Sequence, residues 1–240
     1  PIWPIVETPV PQSVVPGEQT SPTQPIPSKP PPFVRQGSAR EDLADPSSAD
    51  GYDVGPLYTP PTENGLIVTP GEGGGANWGG ASFDPQTQTL YVTGFGPLTY
   101  LIQMVYGGPN FYYVSPQAFY GPTTGSPYGG AGSSITAYDM NEGTINWQEP
   151  GTSSASAIGL GAALTTKTLL FYKNSAFETL NIVNKSTGSL IRQISLGGSN
   201  LTGSPMTYLH DGRQFVVVAT GAGDDLMELV ALALPIVEAS

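Results

Sequence analysis

The chain has 240 residues, a formal net charge of −11 and no cysteine. An acid excess with only 8 Lys and Arg provides no basic surface, which argues against nucleic acid as a partner. Lack of cysteine excludes disulfides, thiolate metal sites and thiol nucleophiles. The 31 glycines, 25 prolines and 11% charged residues, beside 38% apolar residues, predict an all-β protein of strands and turns.

Residues 1–53 are predicted to form a proline-rich connection followed by a surface insertion. Proline lacks the N–H that a central strand requires, so we expect the first part to be extended. Its apolar residues favour a segment laid across a folded surface over a disordered linker. In the insertion, Ser38 and Glu41 have capping-box spacing and predict a short helix over 38–45. No initiator Met or signal peptide starts the sequence, so we expect a fragment of a longer chain.

Alternating apolar and polar residues predict the strands of residues 54–235, followed by a tail at 236–240. The stretch 94–132, rich in Gly, Pro and Tyr, predicts a long loop. Single strands are expected in GLIVTP and ELVALAL, and hairpin turns at DPQTQ (84–88), at 141–143, near Lys167, at 185–188 and at Asp211 and Gly212.

A short repeat indicates how these strands are organised. The segments AYDMNEGTINW and NIVNKSTGSLIRQ share a frame in which Asp139 or Asn184 precedes a glycine four residues later. Asp or Asn can bond the turn amides, Gly takes the positive-φ position, and Trp147 would pack on the neighbouring unit. Arg192 stands at the corresponding position of the second copy. Such stacked units are typical of a β-propeller.

Several blocks together with this repeat resemble the C-terminal portion of a pyrroloquinoline quinone (PQQ)-dependent dehydrogenase. They are SPTQPIPSKPPPF, GGGANWGGASFDPQTQTLYV, TTKTLLF, GSPMTYLHDGRQFVVVATG and ELVALALP, in the family's order. The resemblance is to the membrane glucose dehydrogenase branch and the quinoprotein alcohol dehydrogenases. It implies that residues 1–240 form part of one eight-bladed propeller of four-stranded antiparallel blades.

The resemblance also implies a chemistry. PQQ and calcium would lie near the propeller axis, and a sugar or alcohol hydroxyl would be oxidised, with electrons passing to a quinone or a cytochrome. The implied location is the periplasm, or a membrane facing it. A non-catalytic propeller that serves in binding or assembly, with a vestigial cofactor pocket, is the alternative.

Three residues are candidates for cofactor binding on the same ground. Trp78 matches the tryptophan of the family's WGG block and Asn77 its polar neighbour, while the surrounding glycines would admit a flat anionic ligand. A structural tryptophan packed between blades is the other interpretation of Trp78. Thr93 stands where relatives carry an Asn, and its hydroxyl can donate one hydrogen bond.

The catalytic and calcium-binding residues of the family precede the segment that this chain matches. The resemblance therefore implies no catalytic residue and no metal ligand here, and a chain that is inactive without the N-terminal half of the propeller.

Other noticeable residues are predicted to have no part in chemistry. His210 lies in a turn without an acid or nucleophile at a suitable spacing, and Trp147 is expected to be structural. Asp224, Asp225 and Glu228 lack the spacing of a calcium loop and predict a solvated acidic loop.

Overall fold

The structure is a computed structural model. It describes residues 5–13, 15–27, 46–56, 58–68, 76, 79–94, 98–120, 134–150, 163–173, 179–196, 201–221 and 227–234. These residues form strands and turns with one short 3-10 helix at Pro46–Ala49. Within these ranges, no helix has the length and apolar character needed to cross a bilayer.

Sixteen strands are present in this part of the chain. In order they are β1 Ile5–Pro9, β2 Thr23–Pro27, β3 Leu66–Val68, β4 Ala81–Asp84, β5 Thr89–Gly94, β6 Leu98–Gly107, β7 Asn110–Tyr120, β8 Ser134–Asp139, β9 Thr144–Pro150, β10 Leu164–Thr165, β11 Leu169–Lys173, β12 Thr179–Asn184, β13 Leu190–Ser195, β14 Leu201–His210, β15 Arg213–Thr220 and β16 Glu228–Leu232.

The strands form four sheets and one ribbon, and all pairs are antiparallel. Sheet A has the order β4-β5-β8-β9 and sheet B the order β10-β11-β12-β13, while sheet C has three strands, β14-β15-β16. Sheet D is β3-β6-β7, and β1 pairs with β2 in the N-terminal ribbon. The all-β prediction with four-stranded antiparallel units is therefore confirmed.

The proline-rich beginning of the chain forms this ribbon rather than a single extended strand. Val6 lies opposite Ile26, and the register runs from Ile5 opposite Pro27 to Pro9 opposite Thr23. Three of the ten paired residues are prolines, which suits a two-stranded ribbon because neither strand must bond on both sides. The helix predicted over 38–45 lies outside the described residues.

The predicted loop over 94–132 is wrong for its first part, which forms the long hairpin β6–β7. Gly107 pairs with Asn110, so Gly108 and Pro109 make a two-residue turn, and Gly108 has φ +69°. A glycine with positive φ in the first central position is the pattern of a type II′ hairpin turn. The hairpin leaves sheet A after β5 and joins β3, after which β8 returns to pair with β5. Residues 121–133 lie outside the described part.

The other predicted hairpins are confirmed. Turns lie between β4 and β5, β8 and β9, β10 and β11, β12 and β13, and β14 and β15. At the last of these, Asp211 and Gly212 have φ values of +50° and +73°, as a type I′ turn requires. The predicted strands at 66–68 and 228–232 are also present.

Sheets A, B and C stack face to face in chain order. Between A and B lies a core to which Tyr91, Ile135 and Ala137 contribute from sheet A, and Leu170, Tyr172 and Val183 from sheet B. Between B and C lies a second core, which includes Phe171, Leu180, Val216 and Val218. Alternate residues of β11 thus face opposite neighbours, and sheet B is covered on both faces.

The first strands of the three sheets lie side by side. Strand β10 lies against both β4 and β14. Between the first two, Ser82 Oγ donates to Thr165 Oγ1 over 2.7 Å. Stacked sheets whose first strands converge are the arrangement of propeller blades about an axis.

Candidate functional site

Thr93, the described member of the predicted cofactor-binding set, lies near the end of β5. The strand buries alternate residues, and the Thr93 side chain is 3% exposed. It lies opposite Ile135, on the face of sheet A that also carries Tyr91. The structure therefore places a buried hydroxyl on the side of sheet A that faces sheet B. Asn77 and Trp78 lie outside the described residues, so their assignment stays a prediction.

The backbone that leads from the Gly-rich stretch into β4 turns at Gly80. This residue has φ +79°, and a Cβ built there would meet nothing within 4 Å. Glycine at this position therefore serves the backbone conformation and not a close packing contact. The turn lies directly before the strand that forms the inner edge of sheet A.

Trp147 has the structural role predicted for it. Its Nε1 donates to the carbonyl of Lys185, 2.9 Å away, in the turn between β12 and β13 of the next sheet. A Cβ at Gly188 would lie only 2.7 Å from the indole ring, so the ring packs directly on this glycine. The repeat's tryptophan thus docks one sheet onto the turn of its neighbour.

The repeat turns themselves follow the predicted mechanics. The carboxylate of Asp139 accepts from the N–H groups of Asn141 and Glu142, over 2.8 and 3.0 Å. In the second copy Asn184 Oδ1 accepts from Ser186 N over 2.9 Å. The glycines at 143 and 188 have φ values of +69° and +73°.

A buried ion pair beside this joint was missed by sequence reasoning. Lys185 Nζ lies 2.5 Å from Asp84 Oδ2, and the two side chains are 6% and 5% exposed. Burial alone would raise the pKa of Asp84, but the hydrogen bonds from Lys185, Thr87 and the Gln86 N–H outweigh it and lower that pKa. The partners are 101 residues apart, and no local pattern signals such a pair.

Tyr91 connects this joint with the strand that carries Thr93. Its hydroxyl donates to the Lys185 carbonyl over 3.1 Å, and its side chain is 1% exposed. Burial, with the charge of Asp84 as a smaller cause, raises the pKa of Tyr91, so the phenol keeps its proton and remains a donor. The position of β5, and of Thr93 two residues further on, is therefore tied to the neighbouring sheet.

Two further titratable groups lie at the end of β11. Burial lowers the pKa of Lys173, whose side chain is 6% exposed. Burial likewise raises the pKa of Tyr172, on the opposite face of the strand. Sequence reasoning singled out neither residue, because both stand in an ordinary strand pattern.

The remaining candidates behave as surface residues. His210 Nε2 is 3.4 Å from Asp211 Oδ2, and the two side chains are 72% and 91% exposed. Glu228 is exposed at the start of β16, while Asp224 and Asp225 lie outside the described residues. Nowhere in the described ranges do three or more His, Asp or Glu side chains cluster as metal ligands would.

Comparison with known proteins agrees with the geometry. The family described as PQQ: Glucose/ethanol/alcohol dehydrogenase, beta-propeller domain, matches residues 1–118 and 106–216. The chain belongs to this family. Sheets A, B and C are accordingly blades of a quinoprotein propeller domain.

Two named dehydrogenases are among the similar proteins. The chain is 28% identical to the glycerol dehydrogenase large subunit of Gluconobacter thailandicus, over 98% of this chain and 40% of that protein. It is 27% identical to quinoprotein glucose dehydrogenase A of Acinetobacter calcoaceticus, over 98% of this chain and 36% of that protein. This quinoprotein propeller chain thus spans two fifths or less of these relatives' length.

Solved structures support the fold. A europium-containing methanol dehydrogenase superposes with a TM-score of 0.55 at 24% identity, over 83% of this chain and 33% of that chain. At this level of identity the likeness concerns the architecture of the propeller alone.

Of the three residues predicted to bind PQQ, the structure describes Thr93 alone, and its buried hydroxyl is compatible with a polar cofactor. Asn77 and Trp78 lie outside the described residues, and their role stays a prediction. For calcium, which takes six to eight oxygen ligands, the described part of the chain presents no matching set of carboxylates.

Proposed function

We propose that this chain is part of a PQQ-dependent dehydrogenase that oxidises an aldose sugar or an alcohol. The observation that carries the proposal is the family match, which extends over residues 1–216. The relatives named for glycerol and for glucose support a hydroxylated substrate. When bound, PQQ supplies the two-electron oxidant, and a quinone or a cytochrome takes the electrons onward.

The role proposed for this chain is to form one wall of the cofactor site. Thr93, buried on β5, donates a hydrogen bond to PQQ, and Asn77 and Trp78 line the same wall. The joint made by Lys185 with Tyr91 and Trp147 holds this strand in place. Calcium and the catalytic base are held by the rest of a longer protein, which lies in the periplasm or on a membrane facing it.

The open face of sheet C supports the proposal of a longer propeller. Met206, Tyr208 and Leu229 are 54%, 40% and 78% exposed there, although the opposite face packs against sheet B. Exposed apolar residues on a sheet face are typical of a surface that another element covers. The missing N-terminal half of the propeller is the proposed cover, and the chain alone is proposed to be inactive.

A scaffold function is the second candidate. Thr93 favours it, because relatives carry an Asn at this position. The threonine hydroxyl reaches less far towards a cofactor than an asparagine amide does. In that case the pocket is vestigial and the propeller serves in binding or assembly.

A test with the full-length parent protein distinguishes the two functions. The protein is loaded with calcium and PQQ, and dye reduction is followed with glucose, glycerol and ethanol. The dehydrogenase proposal expects PQQ uptake and substrate-dependent dye reduction. A folded protein that takes up no PQQ contradicts it and supports the scaffold.

Variants test the wall of the site separately. Thr93→Val removes the hydroxyl at nearly constant volume and is expected to weaken PQQ binding by about tenfold, the equivalent of one hydrogen bond. Thr136→Val is the matched control, because Thr136 is also 3% exposed but lies opposite Val92 on the other face of sheet A.

A second comparison concerns the two tryptophans. Trp78→Ala is expected to weaken PQQ binding more than Trp147→Ala does, when the loss of affinity is divided by each variant's loss of unfolding free energy. Equal PQQ affinity of wild type, Thr93→Val and Trp78→Ala refutes the assignment.

A further inference from the structure

The hairpin β6–β7 extends beyond the sheet to which it belongs. Strand β3 pairs with β6 at residues 100–102. Met104 N then donates to the Thr62 carbonyl over 3.0 Å, which fastens β6 to a neighbouring loop. Past this bond β6 and β7 pair with each other up to the Gly108–Pro109 turn. At ~3.3 Å per residue, the turn lies roughly 13 Å beyond the last bond. Residues 105–112 are called the hairpin tip below.

The tip carries exposed aromatic rings on both of its faces. Tyr106 and Tyr112 are 50% and 54% exposed. Tyr106 lies opposite Phe111, whereas Tyr112 lies opposite Val105 in the adjacent pair. Because successive pairs of an antiparallel hairpin face opposite sides, the two tyrosines lie on opposite sides of the tip. A rigid partner protein contacts one side of a hairpin, so rings on both sides favour a fluid surrounding that closes around the tip.

The hairpin belongs to the longest uncharged part of the sequence. Between Asp84 and Asp139 there is no Asp, Glu, Lys, Arg or His, although the chain has a net charge of −11. The same segment contains eight of the 12 tyrosines. Two of the other hairpin turns, by contrast, expose the charged residues Glu142 and Asp211. A tip without charge can leave water without the free-energy cost of desolvating an ion.

The residues of the tip suit a boundary between water and apolar material. Tyrosine combines an apolar ring with a hydroxyl that stays hydrated, and it is enriched at membrane–water interfaces. Pro109, in the turn, has no N–H that would need a partner in apolar surroundings. A Cβ built on Gly107 would lie 2.8 Å from Tyr112 Cε1, so the ring lies directly on this backbone and is already held in place at the tip.

We propose that the hairpin tip inserts into the headgroup region of a lipid bilayer that carries no net surface charge. Tyr106, Phe111 and Tyr112 enter the interface, and the tip is long enough for the ~5–10 Å to which interfacial elements are buried. Glu63 limits the depth, because it is exposed beside the base of the hairpin, where its carbonyl accepts from Gln103 Nε2 over 2.6 Å.

The charge of the chain determines the kind of lipid. A net charge of −11 repels an anionic surface, and the tip has no Lys or Arg to offset that repulsion. Zwitterionic lipid imposes no such cost. The proposal specifies a contact for the membrane location proposed above, and it requires neither PQQ nor dehydrogenase activity.

The direct test uses the lack of cysteine, which allows one label per molecule. The full chain with Asn110→Cys carries a polarity-sensitive fluorophore at the tip, and Glu142→Cys carries it in the exposed β8–β9 turn as the control. On addition of phosphatidylcholine vesicles, without PQQ, the emission of the tip label is expected to shift to shorter wavelength while that of the control stays constant. Unchanged emission of both labels, or equal shifts, overturns the proposal. A shift of the tip label that needs protein concentration and no vesicles shows a contact between copies and also overturns it.

Variants test the rings themselves. Tyr106→Ser/Tyr112→Ser should lower the partition of the chain into phosphatidylcholine vesicles at least about tenfold, because two half-exposed rings lose their apolar area. Met206→Ser/Tyr208→Ser is the matched control, since these residues are 54% and 40% exposed on sheet C, and it should leave the partition unchanged. Thermal unfolding verifies that both variants fold. Equal partition of wild type and the tip variant, an equal loss in both variants, or stronger binding to anionic phosphatidylglycerol vesicles contradicts the proposal.

Discussion

At the scale of single residues, Lys185 connects two blades in two independent ways. Its side chain pairs with Asp84, and its backbone carbonyl accepts from both Tyr91 and Trp147. The carbonyl bonds do not depend on the side chain at this position, whereas the ion pair does. Changes of the Lys185 side chain therefore test the ion pair while retaining the acceptor of the other two bonds.

Removing one partner of this pair is expected to be costly. Asp84→Asn or Lys185→Met leaves a buried charge without its counterion, which should lower the free energy of unfolding by about 3–5 kcal/mol. The double variant Asp84→Leu/Lys185→Met should be more stable than Lys185→Met alone, since it leaves no charge behind. Denaturant unfolding measures all three, and a double variant less stable than Lys185→Met would contradict the expectation.

The same pair predicts a dependence on pH. Because the folded-state pKa of Asp84 lies below its ordinary value of 3.8, the pair contributes its full stability above that value. The contribution is lost as the pH falls from 3.8 through the lower folded-state pKa. Unfolding free energies measured across this acidic window should fall less steeply in Asp84→Asn than in wild type, and equal slopes would argue against the pair.

At the scale of elements, the β12–β13 turn is the docking surface for the preceding blade. Gly188 is required there for two reasons, its φ of +73° and the indole ring packed against it. Gly212, in the β14–β15 turn, has the same φ of +73° but nothing within 4 Å of a Cβ. Substitution at Gly212 therefore measures the free-energy cost of the left-handed backbone alone, whereas substitution at Gly188 adds the cost of a steric clash with the indole ring.

Alanine at each position measures these costs. Gly212→Ala should lower the unfolding free energy by about 1–2 kcal/mol, the cost of left-handed backbone. Gly188→Ala should cost a further ~1–3 kcal/mol, because the methyl group displaces the Trp147 ring. Thermal or denaturant unfolding distinguishes them, and equal destabilisation would show that the ring moves aside freely.

Local patterns predicted most elements, and the two main misses have different causes. Turn residues and alternation located five hairpins, and the repeat predicted the docking of Trp147. The hairpin β6–β7 was missed because its tyrosines and glycines resemble a loop composition, although the Gly108–Pro109 turn was a usable signal. Lys185 and Asp84 meet only when two blades pack together, so no single segment of the sequence predicts their pairing. Within the candidate site, Thr93 was located by resemblance, and composition alone would not have selected it.

At the scale of the whole molecule, sheets A, B and C form a stack that exposes apolar residues at the sheet C end. Sheet B is covered on both faces, while sheet C is covered by sheet B on one face and carries exposed apolar residues on the other. Among the described residues, sheet C has three strands where A and B have four, so β16 is an edge strand there. Open sheet faces and edges promote association between copies.

We therefore expect the isolated chain to self-associate through sheet C. Leu229→Glu, at a residue 78% exposed on the open face, should shift sedimentation or light scattering towards the monomer. Leu209→Glu is the control, because it adds the same charge at a residue that is 73% exposed beside the β14–β15 turn. Equal solution mass for wild type and Leu229→Glu at every concentration would contradict this.

The detour of the chain through β6 and β7 has a consequence for the order of folding. All four strands of sheet B follow one another with short separations between paired strands, so this blade can assemble from local hairpins. Sheet A cannot, because β5 must find β8 across residues 95–133, and closing that segment costs chain entropy before any pairing is gained. Sheet B is thus expected to form first. Sheet A then forms more slowly, and its Trp147 packs against the β12–β13 turn that sheet B already provides.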